Sequence, residues 1–273
     1  MSASTTPTRT VDVAGTPFAY REVGTAAGVP LVLLQHITGN LDDWDPAVLD
    51  GLAAERRVIT VGLRGVGRSG GITPDSFEAM ATDTAAFVEA LGLDTVDLLG
   101  FSLGGMVAQV VAEQRPDLVR RVILAGTGPA GDPGPATWGA DLQTAIAQAQ
   151  GNPKPILFFS PTSASQAAGA AFLARLDERT EDRDTPASNE TIGAQLTAAA
   201  KWESTSSAGL AKVDKPVLVV NGDNDIMEPT ISSFHLAQLL PNAQLAIYPD
   251  SGHGGIFQYH EVFVQQALDF LRS

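Results

Sequence analysis

The chain has 273 residues, 44% of them hydrophobic and 18% charged, which suits one large α/β domain with an ample core. A net charge of -14 lacks the basic footprint of a nucleic-acid binder, and the absence of cysteine excludes disulfides, thiolate catalysis and thiolate-ligated metals. No apolar run approaches a membrane span and Met1 to Arg9 does not read as a signal peptide, so the expected compartment is the cytoplasm.

Val11 to Ala14 and Phe18 to Val23 flank Gly15-Thr16-Pro17 and predict a hairpin. Leu31 to Leu34 is continuously apolar, as in a strand covered on both faces, and runs into the polar loop Gln35 to Asn40. Trp44-Asp45-Pro46 opens a short helix reaching about Ala54, and Val58 to Val61 is the next strand. The following loop contains Gly65-Val66-Gly67-Arg68-Ser69-Gly70, a match to G-x-G-x-x-G. No helix opens inside it and Pro74 interrupts, so it reads as a structural turn and not as a dinucleotide site. Asp75 and Glu78 fit a capping box for a helix carrying Phe77 to Leu91, which Gly92 ends.

Val96 to Leu99 is a strand that breaks at Gly100, after which Met106, Val107, Val110 and Val111 recur at helical spacing. Ser102 stands at the apex of this strand, turn and helix, in Gly100-Phe101-Ser102-Leu103-Gly104, a match to G-x-S-x-G. Such a turn forces its serine into a strained backbone conformation, and the glycines let strand and helix approach closely. The hydroxyl then sits at a helix N-terminus, whose free N–H groups favour developing negative charge.

Val122 to Ala125 is another buried strand, and then the rhythm changes. From Thr127 to Val213 come a Gly/Pro cluster at Gly128 to Pro135, Ala/Gln-rich helical segments and a loop at Thr180 to Pro186, without strand signals. After Lys215-Pro216 the strands resume with Val217 to Val220 and Leu245 to Tyr248, separated by a helix near Ile231 to Leu240. A terminal helix runs from about Phe257 to Leu271. The expected architecture is α/β, a mostly parallel sheet flanked by helices, with residues 1–126 and 214–273 as the core. Residues 127–213 form a helical cap insertion, expected to lie over the Ser102 face, to set substrate choice and to contribute nothing to the triad.

A serine hydroxyl is a poor nucleophile unless a base takes its proton and an acid orients that base. Of the four histidines, His235 and His260 sit on helices and read as surface or packing residues. His253 lies in the Asp250 to Gly255 loop just after the last strand, where a functional side chain belongs. Asn221-Gly222-Asp223-Asn224-Asp225 closes a strand and offers two aspartates, either of which could turn inward. The order Ser, Asp, His is the one found with a G-x-S-x-G turn.

The segments Leu31 to Asn40, Arg64 to Gly70, Gly100 to Gly105, Gly222 to Pro229 and Ser251 to Gly254 together resemble the α/β-hydrolase fold superfamily. The branch is the serine one, similar to cofactor-free haloperoxidase-like esterases, lactonases and carbon–carbon bond hydrolases. The resemblance covers nearly everything outside the insertion. It implies Ser102, Asp225 and His253 as the triad, with Asp223 capping a turn. It implies an oxyanion hole from the backbone N–H groups of Leu103 and Ile37, and no metal or organic cofactor. The implied activity is hydrolysis of a small apolar ester or lactone through an acyl-enzyme. Perhydrolysis and carbon–carbon bond hydrolysis use the same residues, and a receptor-like binder or a cofactorless lyase are readings from other classes.

Two positions depart from the family pattern. Gln35-His36 stands where relatives carry His-Gly, so a glycine is lost and an imidazole gained beside the hole. His36 then either bonds or shuttles a proton to substrate, or packs under the loop and fixes its shape. Gly62 stands where an aspartate commonly anchors the next loop. For an apolar substrate pocket the candidates are Trp44, Phe101, Trp138, Phe158, Phe159 and Trp202.

Overall fold

The apolar strands are buried along their whole length, and their side chains build a core on each face of the sheet. The computed structural model describes residues 2–132, 143–144, 147–149 and 151–273. Among these, eight strands form one sheet in the order β1-β2-β4-β3-β5-β6-β7-β8. The strands are β1 (Arg9–Val13), β2 (Thr16–Val23), β3 (Leu31–Leu34), β4 (Val58–Val61), β5 (Val96–Phe101), β6 (Val119–Ala125), β7 (Val217–Gly222) and β8 (Ala243–Tyr248). β1 and β2 pair antiparallel, as does β2 with β4, and every later pairing is parallel.

Because strand side chains alternate between faces, Val32, Leu98 and Val219 enter one core while Leu33, Leu99 and Val220 enter the other. The first core is covered by α2 (Phe77–Ala90) and α3 (Leu103–Gln114), the second by α1 (Pro46–Ala53). Asp45 caps α1 by accepting from Ala47 N–H, as its place before Pro46 suggests. The cap of α2 is Ser76, which accepts from Ala79 N–H, so the Asp75 and Glu78 capping box is displaced by one residue. The predicted terminal helix is two: α8 (Gly255–Gln258) and α9 (His260–Arg272), divided by Tyr259 at φ -105° and ψ 38°.

Between β6 and β7 lie α4 (Lys154–Phe158), α5 (Ser163–Leu176), α6 (Asn189–Trp202) and a 3₁₀ turn (Ser207–Lys212), with α7 (Thr230–Leu239) following β7. These helices divide between the two cores. Leu157, Phe158 and Phe172 of α4 and α5 join the second, whereas Ala198, Ala199 and Trp202 of α6 join the first. Trp202 meets Phe77 edge-on at 5.3 Å, on the α2 side of the sheet. That contact adds about 1 kcal/mol beyond burial and fastens α6 to α2. Trp138, and the end of the Gly/Pro cluster from residue 133, lie outside the described residues.

Candidate active site

The turn between β5 and α3 holds Ser102 at φ 56° and ψ -121°, a conformation that L residues other than glycine seldom adopt. Two neighbours make it possible. A Cβ on Gly100 would lie 2.3 Å from Gly104 O, and one on Gly104 would lie 2.1 Å from Leu34 O. Only glycine at both places lets α3 start against the ends of β5 and β3. Ser102 N–H donates to Ala125 O at 2.9 Å, which ties the turn to β6.

Asp225 and His253 come from the loops after β7 and β8 and meet beneath the surface. His253 Nδ1–H donates to Asp225 Oδ2 at 2.7 Å, and both side chains are buried. The other oxygen, Oδ1, accepts from Met227 N–H at 2.8 Å and Glu228 N–H at 3.0 Å, so the carboxylate is held at both ends. Ser102 Oγ and His253 Nε2 are both buried, with no hydrogen-bond partner among the described residues. Asp223 is exposed and accepts from Ser251 N–H at 3.2 Å and from the Asn224 amide, the turn-capping role expected of it.

Among the described residues, neither Leu103 N–H nor Ile37 N–H has an acceptor. Leu103 opens α3, where no intrahelical partner exists. The glycine missing at position 36 is matched by Gly39, where a Cβ would lie 2.3 Å from Gln35 Cγ and 3.0 Å from His36 Nε2. The loop thus closes over two large side chains by placing its glycine three residues later. His36 Nδ1–H donates to Ile37 O at 2.5 Å. Burial, only partly offset by the nearby Asp43 carboxylate, lowers the imidazole from 6.5 to about 4, so it is neutral at physiological pH. The loop after β4, lacking an aspartate at Gly62, is anchored by Ser69, whose Oγ donates to Gly62 O at 2.7 Å. Arg64 adds a two-point pair with Asp83.

A cavity of about 340 Å³ opens beside His253, lined by His36, Ile37, Leu157, Phe158, Ile192 and Leu196 among others. Of the aromatic candidates among the described residues, only Phe158 is on its wall. Phe101 packs behind it, 4.9 Å from the His253 ring. Trp44 packs against Phe101 and Phe257, Phe159 packs at a tilt against Phe172, and Trp202 belongs to the opposite core. These three are core residues, and the sequence placed them at the pocket only because burial on either face looks alike. The aliphatic lining was missed, although Ile192 and Leu196 are four apart on one helix face. A wider groove of about 880 Å³ between β8 and α9 shares no residue with this site.

The segment between β6 and β7 also holds the histidine loop. Leu157 O accepts from His253 N–H at 3.3 Å and Phe158 O accepts from Gly254 N–H at 2.9 Å. The segment thus supports the loop that carries His253 through its backbone, while Ser102, Asp225 and His253 all lie outside it.

A profile of the alpha/beta hydrolase fold matches residues 29–258. The chain belongs to the α/β hydrolase fold family. Its structure superposes on that of an alpha/beta hydrolase fold protein from Chitinophaga pinensis with a TM-score of 0.97, at 41% identity, over 100% of both chains. The hydrolase is 28% identical to the protein of Rhizobium rhizogenes named "Putative carbamate hydrolase RutD", over 89% of this chain and 92% of that one. It is also 28% identical to a poly(3-hydroxyalkanoate) depolymerase of Ectopseudomonas oleovorans, over 89% of this chain and 84% of the other. Among the described residues of this hydrolase, no helix is long and apolar enough to cross a membrane.

Proposed function

We propose that this hydrolase cleaves a carboxylic ester or lactone with an apolar acyl or ring portion, by way of an acyl-enzyme on Ser102. The observation that carries the reading is the buried His253–Asp225 pair at 2.7 Å, with an unpartnered imidazole Nε2 and an unpartnered serine at a strained turn. Ser102 Oγ attacks the carbonyl and His253 Nε2 takes its proton. Asp225, fixed by two backbone N–H groups, holds the imidazole and stabilises the imidazolium. Negative charge on the carbonyl oxygen falls to Leu103 N–H and Ile37 N–H, at the positive end of α3. His253 then protonates the leaving oxygen, and a water molecule repeats the sequence to release the acid.

The 340 Å³ cavity suits a short acyl chain or a single ring, and α4 and α6, from the proposed cap insertion, shape one side of it. A carbamate is the second reading, favoured by the RutD similarity and by His36 Nε2, a buried acceptor with no partner that a carbamate N–H could use. The test is a panel of p-nitrophenyl esters from acetate to octanoate, a γ-lactone followed by pH-stat, and p-nitrophenyl N-methylcarbamate. Turnover of esters or lactone, lost in Ser102→Ala, is the expected result. No turnover of any oxygen ester would overturn the proposal, and faster carbamate cleavage would favour the second reading.

A further inference from the structure

The loop that carries Ile37 does not hold its shape alone. Thr38 sits at φ 64°, a left-handed conformation that a β-branched residue resists. Its N–H donates to Gln195 Oε1 at 2.8 Å, a partner 157 positions along the chain on α6. Gln195 is 1% exposed, one helical turn after Thr191, which is itself buried and donates to Gly65 O at 2.8 Å. Gln195 and Thr191 thus form a buried polar edge where α6 rests on the loops after β3 and β4. The neighbouring face of the same helix presents Ile192 and Leu196 to the cavity.

From this arrangement we infer that Gln195 is a positioning residue for the oxyanion hole. Its amide oxygen captures Thr38 N–H, holds the strained turn, and so fixes the adjacent Ile37 N–H as the second donor. The inference rests on the proposed serine chemistry and assigns α6 a part in it. A substrate acyl group that packs on Ile192 and Leu196 bears on the helix that sets the oxyanion donor, so acyl recognition and rate are coupled through one rigid element. The interaction needs an acceptor at position 195 and no proton transfer from it.

The test compares Gln195→Leu, which removes the acceptor, with Gln195→Glu, which keeps an acceptor oxygen of the same reach. Each is assayed on a p-nitrophenyl ester, with kcat expressed per Ser102 site titrated by a fluorophosphonate so that any unfolded fraction is discounted. Complete loss of one oxyanion donor lowers kcat by roughly 100- to 1000-fold, and a loosened donor should lose less, so Gln195→Leu is expected to lower kcat about 10- to 100-fold with KM within about twofold. Gln195→Glu should recover most of the loss. An unchanged kcat in Gln195→Leu, an effect confined to KM, or an equal loss in both variants would overturn the inference while leaving the hydrolase reading intact. Wild-type enzyme that neither turns over esters nor labels at Ser102 would overturn the hydrolase reading itself, and this inference with it.

Discussion

Replacing His36 with asparagine should flatten the acid limb of the stability profile. In the folded chain the imidazole is buried beneath its loop, among Phe101 and Phe158, and its pKa falls from 6.5 to about 4. Desolvation is the leading cause. Asp43 works against it, and Lys154 and His253 assist it. Because the folded value lies below the unfolded one, the unfolded chain takes up the proton first. The contribution of neutral His36 is therefore complete above pH 6.5 and is lost as pH falls toward 4. At 1.36 kcal/mol per pH unit that interval corresponds to about 3 kcal/mol, most of it lost by about pH 4.5. Carboxylates titrate over the same range, so the readout is a difference of differences. Urea unfolding free energies of wild type and His36→Asn are measured at about pH 7 and about pH 4.5, and wild type should lose roughly 2–3 kcal/mol more than the variant. Equal losses, within the extrapolation error, would refute the buried neutral imidazole.

Other expectations follow from the same geometry. Asp225→Asn should lower kcat by about ten-thousand-fold, because the acid both orients and stabilises the imidazolium, whereas Asp223→Asn should change it little. A reversal of the two would move the acid to Asp223. Glu228 is buried against Asp225 and Asp132, and both of its oxygens lack partners among the described residues. Burial above all, with those two carboxylates, holds its pKa well above the usual 4.5. Its folded value is the higher one, so its contribution is present below about pH 4.5 and is lost as pH rises through the folded value. Glu228→Gln should therefore gain melting temperature on wild type progressively as pH rises above about 5, and a constant offset would contradict this.

The sheet and the Ser102 turn were legible in the sequence because both are local. Leu31 to Leu34 and Val217 to Val220 need only continuous apolar side chains to be covered on two faces, and Gly100 and Gly104 mark a close approach within five residues. Chain order and loop position pointed to His253 and to an aspartate after β7, but left Asp223 and Asp225 open; the resemblance chose Asp225, the one that hydrogen-bonds His253. What escaped depends on contacts distant in sequence. Nothing near Gln195 signals Thr38, and nothing near Leu157 and Phe158 signals that their carbonyls would receive the His253 loop. Trp202 and Trp44 were misplaced for a related reason: aromatic content reveals burial but not which side of a sheet buries it. The Ser76 cap shows the limit even locally, since Asp75, Ser76 and Glu78 all satisfy capping preferences and only backbone geometry selects one.

The proposed chemistry stands most directly on Ser102 being an activated nucleophile. The decisive measurement is intact-protein mass spectrometry after brief treatment with a small fluorophosphonate, followed by peptide mapping. One adduct, confined to Ser102 and made far more slowly in His253→Ala, is the predicted result. No adduct on the folded wild-type chain, an adduct on another serine, or labelling of Ser102 at the same rate without His253 would contradict it.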